Sequence, residues 1–142
     1  MKNLHPVKQA LTSLAGQLKD FMPMSQRTAL IEALTTEERD GIAELINNVV
    51  NTIETMPKSY ETDGMGSKVV VYLHYFKGSV DAWITEKDIG DGDDTTQYQA
   101  FGRICITGNT DDAELGYISI QELIENGVEL DLYWKPVTLG EL

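Results

Sequence analysis

His74 and Asp81 flank the Lys77-Gly78 pair in the stretch YLHYFKGSVDAWITEKD. A carboxylate beside an imidazole orients the ring and favours its charged form, an arrangement used in general acid–base chemistry. No Ser or Cys nucleophile is evidently aimed at this pair. Cys105 stands in the apolar run RICIT, where a buried and inert thiol is expected. A structural cross-strand pair, or part of a recognition face, accounts for His74 and Asp81 better than catalysis does.

A second cluster lies in DIGDGDDTT, where Asp88, Asp91, Asp93 and Asp94 are spaced as hard cations like their ligands. The loop lacks the complete calcium-ligand pattern and has no bidentate Glu at the expected place. A solvated acidic loop is therefore expected, with no metal and no cofactor. Gly90 and Gly92 do not make a phosphate cradle, because the charge around them has the wrong sign. There is no paired-Cys zinc motif, nucleophile elbow or P-loop, and the lone His5 carries no signal.

The elements that would position these residues follow from periodicity. Val7, Leu11, Leu14, Leu18 and Phe21 form one apolar helical stripe, which Pro23 interrupts. Ser25 can cap a short helix burying Leu30, Ile31 and Leu34. Thr35 and Glu38 have capping-box spacing, and Ile42, Leu45, Ile46, Val49, Val50 and Ile53 form the stripe of a helix over Thr36–Thr55. From Lys68 the period becomes that of strands: KVVVYLHYF, SVDAWITEKD, QAFGRICIT and ELGYISI. Ser119 and Glu122 repeat the capping-box spacing for a short helix ended by Asn126-Gly127. A last strand would place Val128, Leu130, Leu132 and Trp134 on one face. Helices first and strands later predict an α+β fold, with N-terminal helices followed by a mostly antiparallel sheet of about five strands and one short helix. Residues 1–142 read as a single domain, in which 1–34 could form a helical appendage too short to be independent.

The first hairpin defines the candidate working face. A two-residue loop at Lys77-Gly78 would put Phe76 opposite Ser79, His74 opposite Asp81 and Tyr72 opposite Trp83. Strand alternation then sets Val69, Val71, Leu73 and Tyr75 with Val80, Ala82 and Ile84 on the core side. Val70, Tyr72, His74 and Phe76 with Asp81, Trp83 and Thr85 occupy the other side, a mixture of aromatic and polar groups suited to protein binding unless the N-terminal helices cover it.

Charge narrows the partners. The 142 residues carry 23 acidic and 11 basic side chains, a formal net charge of −12. Residues 1–56 hold 5 basic and 7 acidic groups, whereas residues 57–142 hold 6 basic and 16 acidic. Such a chain repels nucleic-acid backbones and anionic membranes and suits a basic protein partner. A single Cys excludes an intramolecular disulfide, and no apolar run long enough to span a membrane and no signal-peptide core is present, so a cytoplasmic protein is expected.

The blocks YLHYFKGSVDAWITEKD, QAFG and ELGYISIQELIENGVELDLYWKP, in this order, resemble domain of unknown function 2958, a family of bacterial proteins from plasmids, phages and integrated elements. The likeness covers roughly residues 36–142. It implies a small α+β fold in a mobile-element setting and brings no catalytic residues; the Asp88–Thr96 loop departs from it. Two functional readings result. The leading one is a non-enzymatic interaction module binding through Tyr72, His74, Asp81 and Trp83 and through Asp91, Asp93 and Asp94. Its sharper form is a DNA-mimic inhibitor, of anti-restriction or anti-CRISPR type, acting on a host nucleic-acid-binding defence enzyme. The alternative is a small metal-dependent hydrolase or cation-binding protein using His74, Asp81 and the 88–94 loop.

Overall fold

A computed structural model describes residues 5–142. The helices α1 (Pro6–Ala15), α2 (Met24–Ala33) and α3 (Arg39–Thr55) come first. The strands β1 (Val70–Val71), β2 (Leu73–Lys77), β3 (Val80–Glu86), β4 (Ala100–Cys105) and β5 (Glu114–Ile118) follow, then α4 (Ile120–Glu125), β6 (Glu129–Leu130) and β7 (Val137–Thr138). Five strands form an antiparallel sheet in the order β5-β4-β3-β2-β6, and β1 pairs with β7 in a separate two-stranded ribbon. The α+β architecture expected from the periodicity is the observed one.

One apolar core joins the helices to one side of the sheet. Ala10, Leu14 and Leu18 meet Ile46, Val50 and Ile53 of α3, and these share a cluster with Leu73, Tyr75, Ala82 and Ile84. Residues 5–34 thus belong to the same core as the sheet. Two polar contacts pin them there. The buried Tyr75 hydroxyl donates to the Phe21 carbonyl. The Gln26 side chain accepts from Leu130 N at 2.9 Å and donates to Leu130 O at 2.7 Å, satisfying the backbone groups that β6 leaves open at the sheet edge.

Helix ends differ from expectation in two places. α2 starts behind Pro23, with Ser25 inside the helix and no side-chain cap. Thr35 and Thr36 turn their hydroxyls back onto the carbonyls of Glu32 and Ala33, so α3 begins only at Arg39. α4 matches its signals. Ser119 Oγ accepts from Glu122 N at 3.1 Å. Gly127, at φ 72°, closes the helix: its N donates to Ile124 O, and Val128 N donates to Leu123 O, which is a Schellman motif.

The last strand is shorter than the pattern of Val128, Leu130, Leu132 and Trp134 suggests. Asp131 stops it: its Oδ1 accepts from Tyr133 N at 2.9 Å, an Asx turn that swings the chain off the sheet. Leu132 stays with the main core while Trp134 crosses to the opposite side of the sheet.

Candidate functional site

The hairpin register is one residue along from the expected one on each strand. Lys77 pairs with Val80, Phe76 with Asp81, His74 with Trp83 and Leu73 with Ile84. The loop is Gly78-Ser79, and Gly78 has φ 55° while Ser79 does not enter the left-handed region, as a type II′ turn with Gly first requires. The pairings of Phe76 with Ser79, His74 with Asp81 and Tyr72 with Trp83 are therefore corrected. The shift preserves which face each residue occupies, so His74, Phe76, Asp81 and Trp83 do share the face opposite the main core.

Tyr72 does not join them. Tyr72 N donates to Ile84 O at 2.9 Å, and the next residue, Leu73, pairs with the same Ile84. This doubling breaks the alternation. Tyr72 and Leu73 both pack with the main core, while Val71 lies with Trp83 and Cys105 in a second buried cluster. The expected grouping of Val69 and Val71 with Leu73 and Tyr75 is corrected accordingly.

His74 is the centre of a closed arrangement. Its Nε2 lies 2.8 Å from Asp81 Oδ1 and its Nδ1 lies 3.0 Å from Asp131 Oδ2. Carboxylates only accept, so both contacts are hydrogen bonds when each ring nitrogen carries a proton. The ring stacks on Phe76 and Trp83, with centroids 5.9 and 5.7 Å away, and meets Trp134 at 5.0 Å. Trp134 Nε1 donates to Val71 O at 3.1 Å, and Leu139 N donates to Val69 O at 2.9 Å. The C-terminal segment, rather than the N-terminal helices, thereby covers this half of the face and leaves Trp83 only 9 % exposed. With both nitrogens held by carboxylates and three rings around it, the imidazole is a structural tie between strands and C-terminal segment.

The acidic loop is also built from inside. The Asp88 carboxylate accepts from Gly90 N, Tyr98 N and Gln99 N at 2.9, 3.2 and 3.0 Å. The buried Gln97 side chain accepts from Asp88 N and donates to Asp88 O and Thr95 O. Asp91 and Asp94 exchange backbone hydrogen bonds at 3.0 Å, and the hydrogen bond from Thr96 N holds the Asp94 carboxyl below its ordinary pKa. Asp93 is exposed. Among the described residues no group of three or more His, Cys, Asp or Glu is arranged to hold a metal ion. Cys105 is buried, as expected, and its thiol donates to Asn109 O at 3.1 Å.

The uncovered half of the same sheet face lies over β4 and β5. The register sets Phe101 beside Tyr117 and Arg103 beside Leu115. A bulge between Ile84 and Glu86 opposes both Thr85 and Glu86 to Phe101. Such an insertion re-aims the side chain that follows it. Glu86 and Thr85 consequently line one cleft of about 360 Å³, together with Tyr60, Asp63, Leu115 and Tyr117. Glu86 is 5 % exposed. Its Oε1 accepts from Tyr60 N at 2.8 Å, and its Oε2 accepts from Thr62 N at 3.0 Å and from the Thr62 hydroxyl. These bonds fold the 58–66 loop over the sheet and set Tyr60 at φ 72°. Tyr117 Oη then donates to Tyr60 Oη at 3.3 Å. That bond, and after it the loss of solvent around the hydroxyl, raise Tyr117 above its ordinary pKa, with smaller contributions from Tyr60, Asp63 and Glu86.

Tyr60 is the wall between this cleft and a second one of about 340 Å³, lined by Asp88, Asp91, Asp94, Ile89 and Tyr98. Neither cleft is lined by a Lys or Arg. Arg103 instead donates to Thr110 O at 3.0 Å and sits 5.8 Å from the Trp83 ring centre. Sequence reasoning reached Asp91 and Asp94 but missed Tyr60, Glu86, Leu115 and Tyr117. The one signal available for the last two was their alternation with Glu114 and Gly116 on an apolar strand; nothing marked Tyr60 or the bulge.

No protein-family model, no curated protein and no solved structure matches this chain. Among the described residues no helix is long and apolar enough to cross a membrane.

Proposed function

We propose that the chain is a non-enzymatic, acidic protein-interaction module whose partner is a basic protein surface. The observation that carries this reading is the pair of adjoining clefts around Tyr60, where tyrosine and aliphatic side chains stand among carboxylates and no cation takes part. Tyrosine supplies large, rigid contact area with few rotatable bonds. Carboxylates around it steer an oppositely charged surface into register. The same charges repel nucleic-acid backbones and anionic membranes. A sharper form is a mobile-element product that blocks a host nucleic-acid-binding defence enzyme by occupying a groove built for phosphates; the acidic balance of the chain supports it. The hydrolase or cation-binding alternative has less support, since the polar atoms of His74 and Asp88 are taken up by internal hydrogen bonds.

The test compares the immobilised parent chain with a Leu115→Ala/Tyr117→Ala variant in cell extract. Both side chains are exposed, so the variant keeps its fold. A basic protein retained by the parent, released by rising salt and lost with the variant is the expected result. Displacement of that protein by duplex DNA would support the sharper form. Equal retention on parent and variant would remove this surface from consideration.

A further inference from the structure

Resting on the reading of this surface as a protein-binding one, we propose that the cleft between the 58–66 loop and β4–β5 is a receptor for a single arginine side chain of the partner. Four observations converge on a planar cation. The buried Glu86 carboxylate has no cationic partner; among the described residues the only ion pairs within 4.0 Å are those of His74. Three of its acceptor positions are filled by Tyr60 N, Thr62 N and the Thr62 hydroxyl, which leaves one acceptor position of the carboxylate free. Asp63 adds a second carboxylate at the mouth. Tyr60, Phe101 and Tyr117 supply aromatic surface, with Phe101 and Tyr117 in edge contact at 5.5 Å.

A guanidinium matches this set better than an ammonium does. It is planar, more weakly hydrated, stacks on aromatic faces and presents several donors at once. An anion would meet two carboxylates with no cation to balance them, and a neutral apolar group would leave Glu86 without a counter-charge.

The experiment titrates the isotope-labelled full chain with blocked Gly-Arg-Gly and follows backbone amide shifts. Blocked Gly-Lys-Gly and Gly-citrulline-Gly serve as probes of charge and shape. Saturable shifts centred on Tyr60, Thr62, Phe101 and Tyr117 are expected with the arginine peptide. Citrulline, which keeps the shape and loses the charge, should bind on the order of tenfold more weakly, and lysine should fall between them. Asp63→Asn should weaken arginine binding while leaving the spectrum otherwise unchanged. Equal binding of citrulline, equal binding of lysine, or no saturable shift in the cleft would each overturn the proposal. Failure here with the partner still lost from the Leu115→Ala/Tyr117→Ala variant would leave the interaction surface intact and remove only the arginine assignment. Arginine binding with partner retention unchanged would do the reverse.

Discussion

Trp83 and Tyr117 stand on the same face of the sheet, two strands apart, and differ in what covers them. The C-terminal segment lies over Trp83, whereas Tyr117 faces the open cleft and is 58 % exposed. Trp83→Ala should therefore cost about 3–5 kcal/mol of unfolding free energy, the scale for truncating a buried aromatic. It should weaken partner capture only to the extent that folded protein is lost. Tyr117→Ala should leave the urea midpoint nearly unchanged. A Trp83→Ala chain with parent-like stability would contradict the burial described here. The His74–Asp81 contact was legible from the sequence because both orders of pairing keep the two side chains on one face. Asp131, the second carboxylate on His74, was not legible, since it arrives from a segment far along the chain.

At the scale of elements, α3 was the clearest pattern in the sequence, yet its stripe is unevenly buried. Ile46 is fully enclosed and Leu45 is half-buried beside Tyr72 and Trp134. Ile46→Ala is expected to cost about 2–5 kcal/mol, and Leu45→Ala about 1 kcal/mol, both read from chemical denaturation. The reverse order would mean that the helix is rotated from the position described. The hairpin teaches why strands are harder to read than helices. Moving the loop from Lys77-Gly78 to Gly78-Ser79 changes every cross-strand partner while leaving the alternation of faces untouched, because it shifts both strands together. Only the positive φ of Gly78 at the first loop position distinguishes the two. Gly102 is equally particular: a Cβ there would lie 1.9 Å from the Trp83 carbonyl oxygen, so β3 and β4 approach this closely only with glycine at that position.

On the scale of the whole molecule, the net charge of −12 is concentrated in the sheet-bearing part, and the lowered carboxyls give it a pH dependence. Asp94 is held below its ordinary pKa first by the hydrogen bond from Thr96 N, and Glu141 first by that from Thr138 N. A carboxyl lowered on folding stabilises the native state at pH above its unfolded value and loses that contribution as pH falls through the folded one. The stability difference between the parent and an Asp94→Asn/Glu141→Gln variant should thus be constant near neutrality and shrink below about pH 4, the ordinary carboxylate range. A difference that grew on acidification would show the carboxyls raised rather than lowered. Both groups are fully exposed, so the effect is screened by salt.

The sequence by itself determined the order of helices and strands, the α3 stripe, the α4 cap and stop, the burial of Cys105 and the acidic balance. All of these depend on neighbours within a few residues or on composition alone. The stripes expected for α1 and α2 hold only in part, since Leu11 and Ile31 are exposed and Leu30 is half-buried. Tertiary structure decided which half of the second sheet face is free. That outcome turns on Asp131 ending β6, on Trp134 and Leu139 folding over Trp83, and on the bulge at Thr85–Glu86 turning a carboxylate toward the 58–66 loop. Each contact joins residues distant in the chain. Periodicity states only that a residue lies on one face or the other, and what later covers that face is settled by packing.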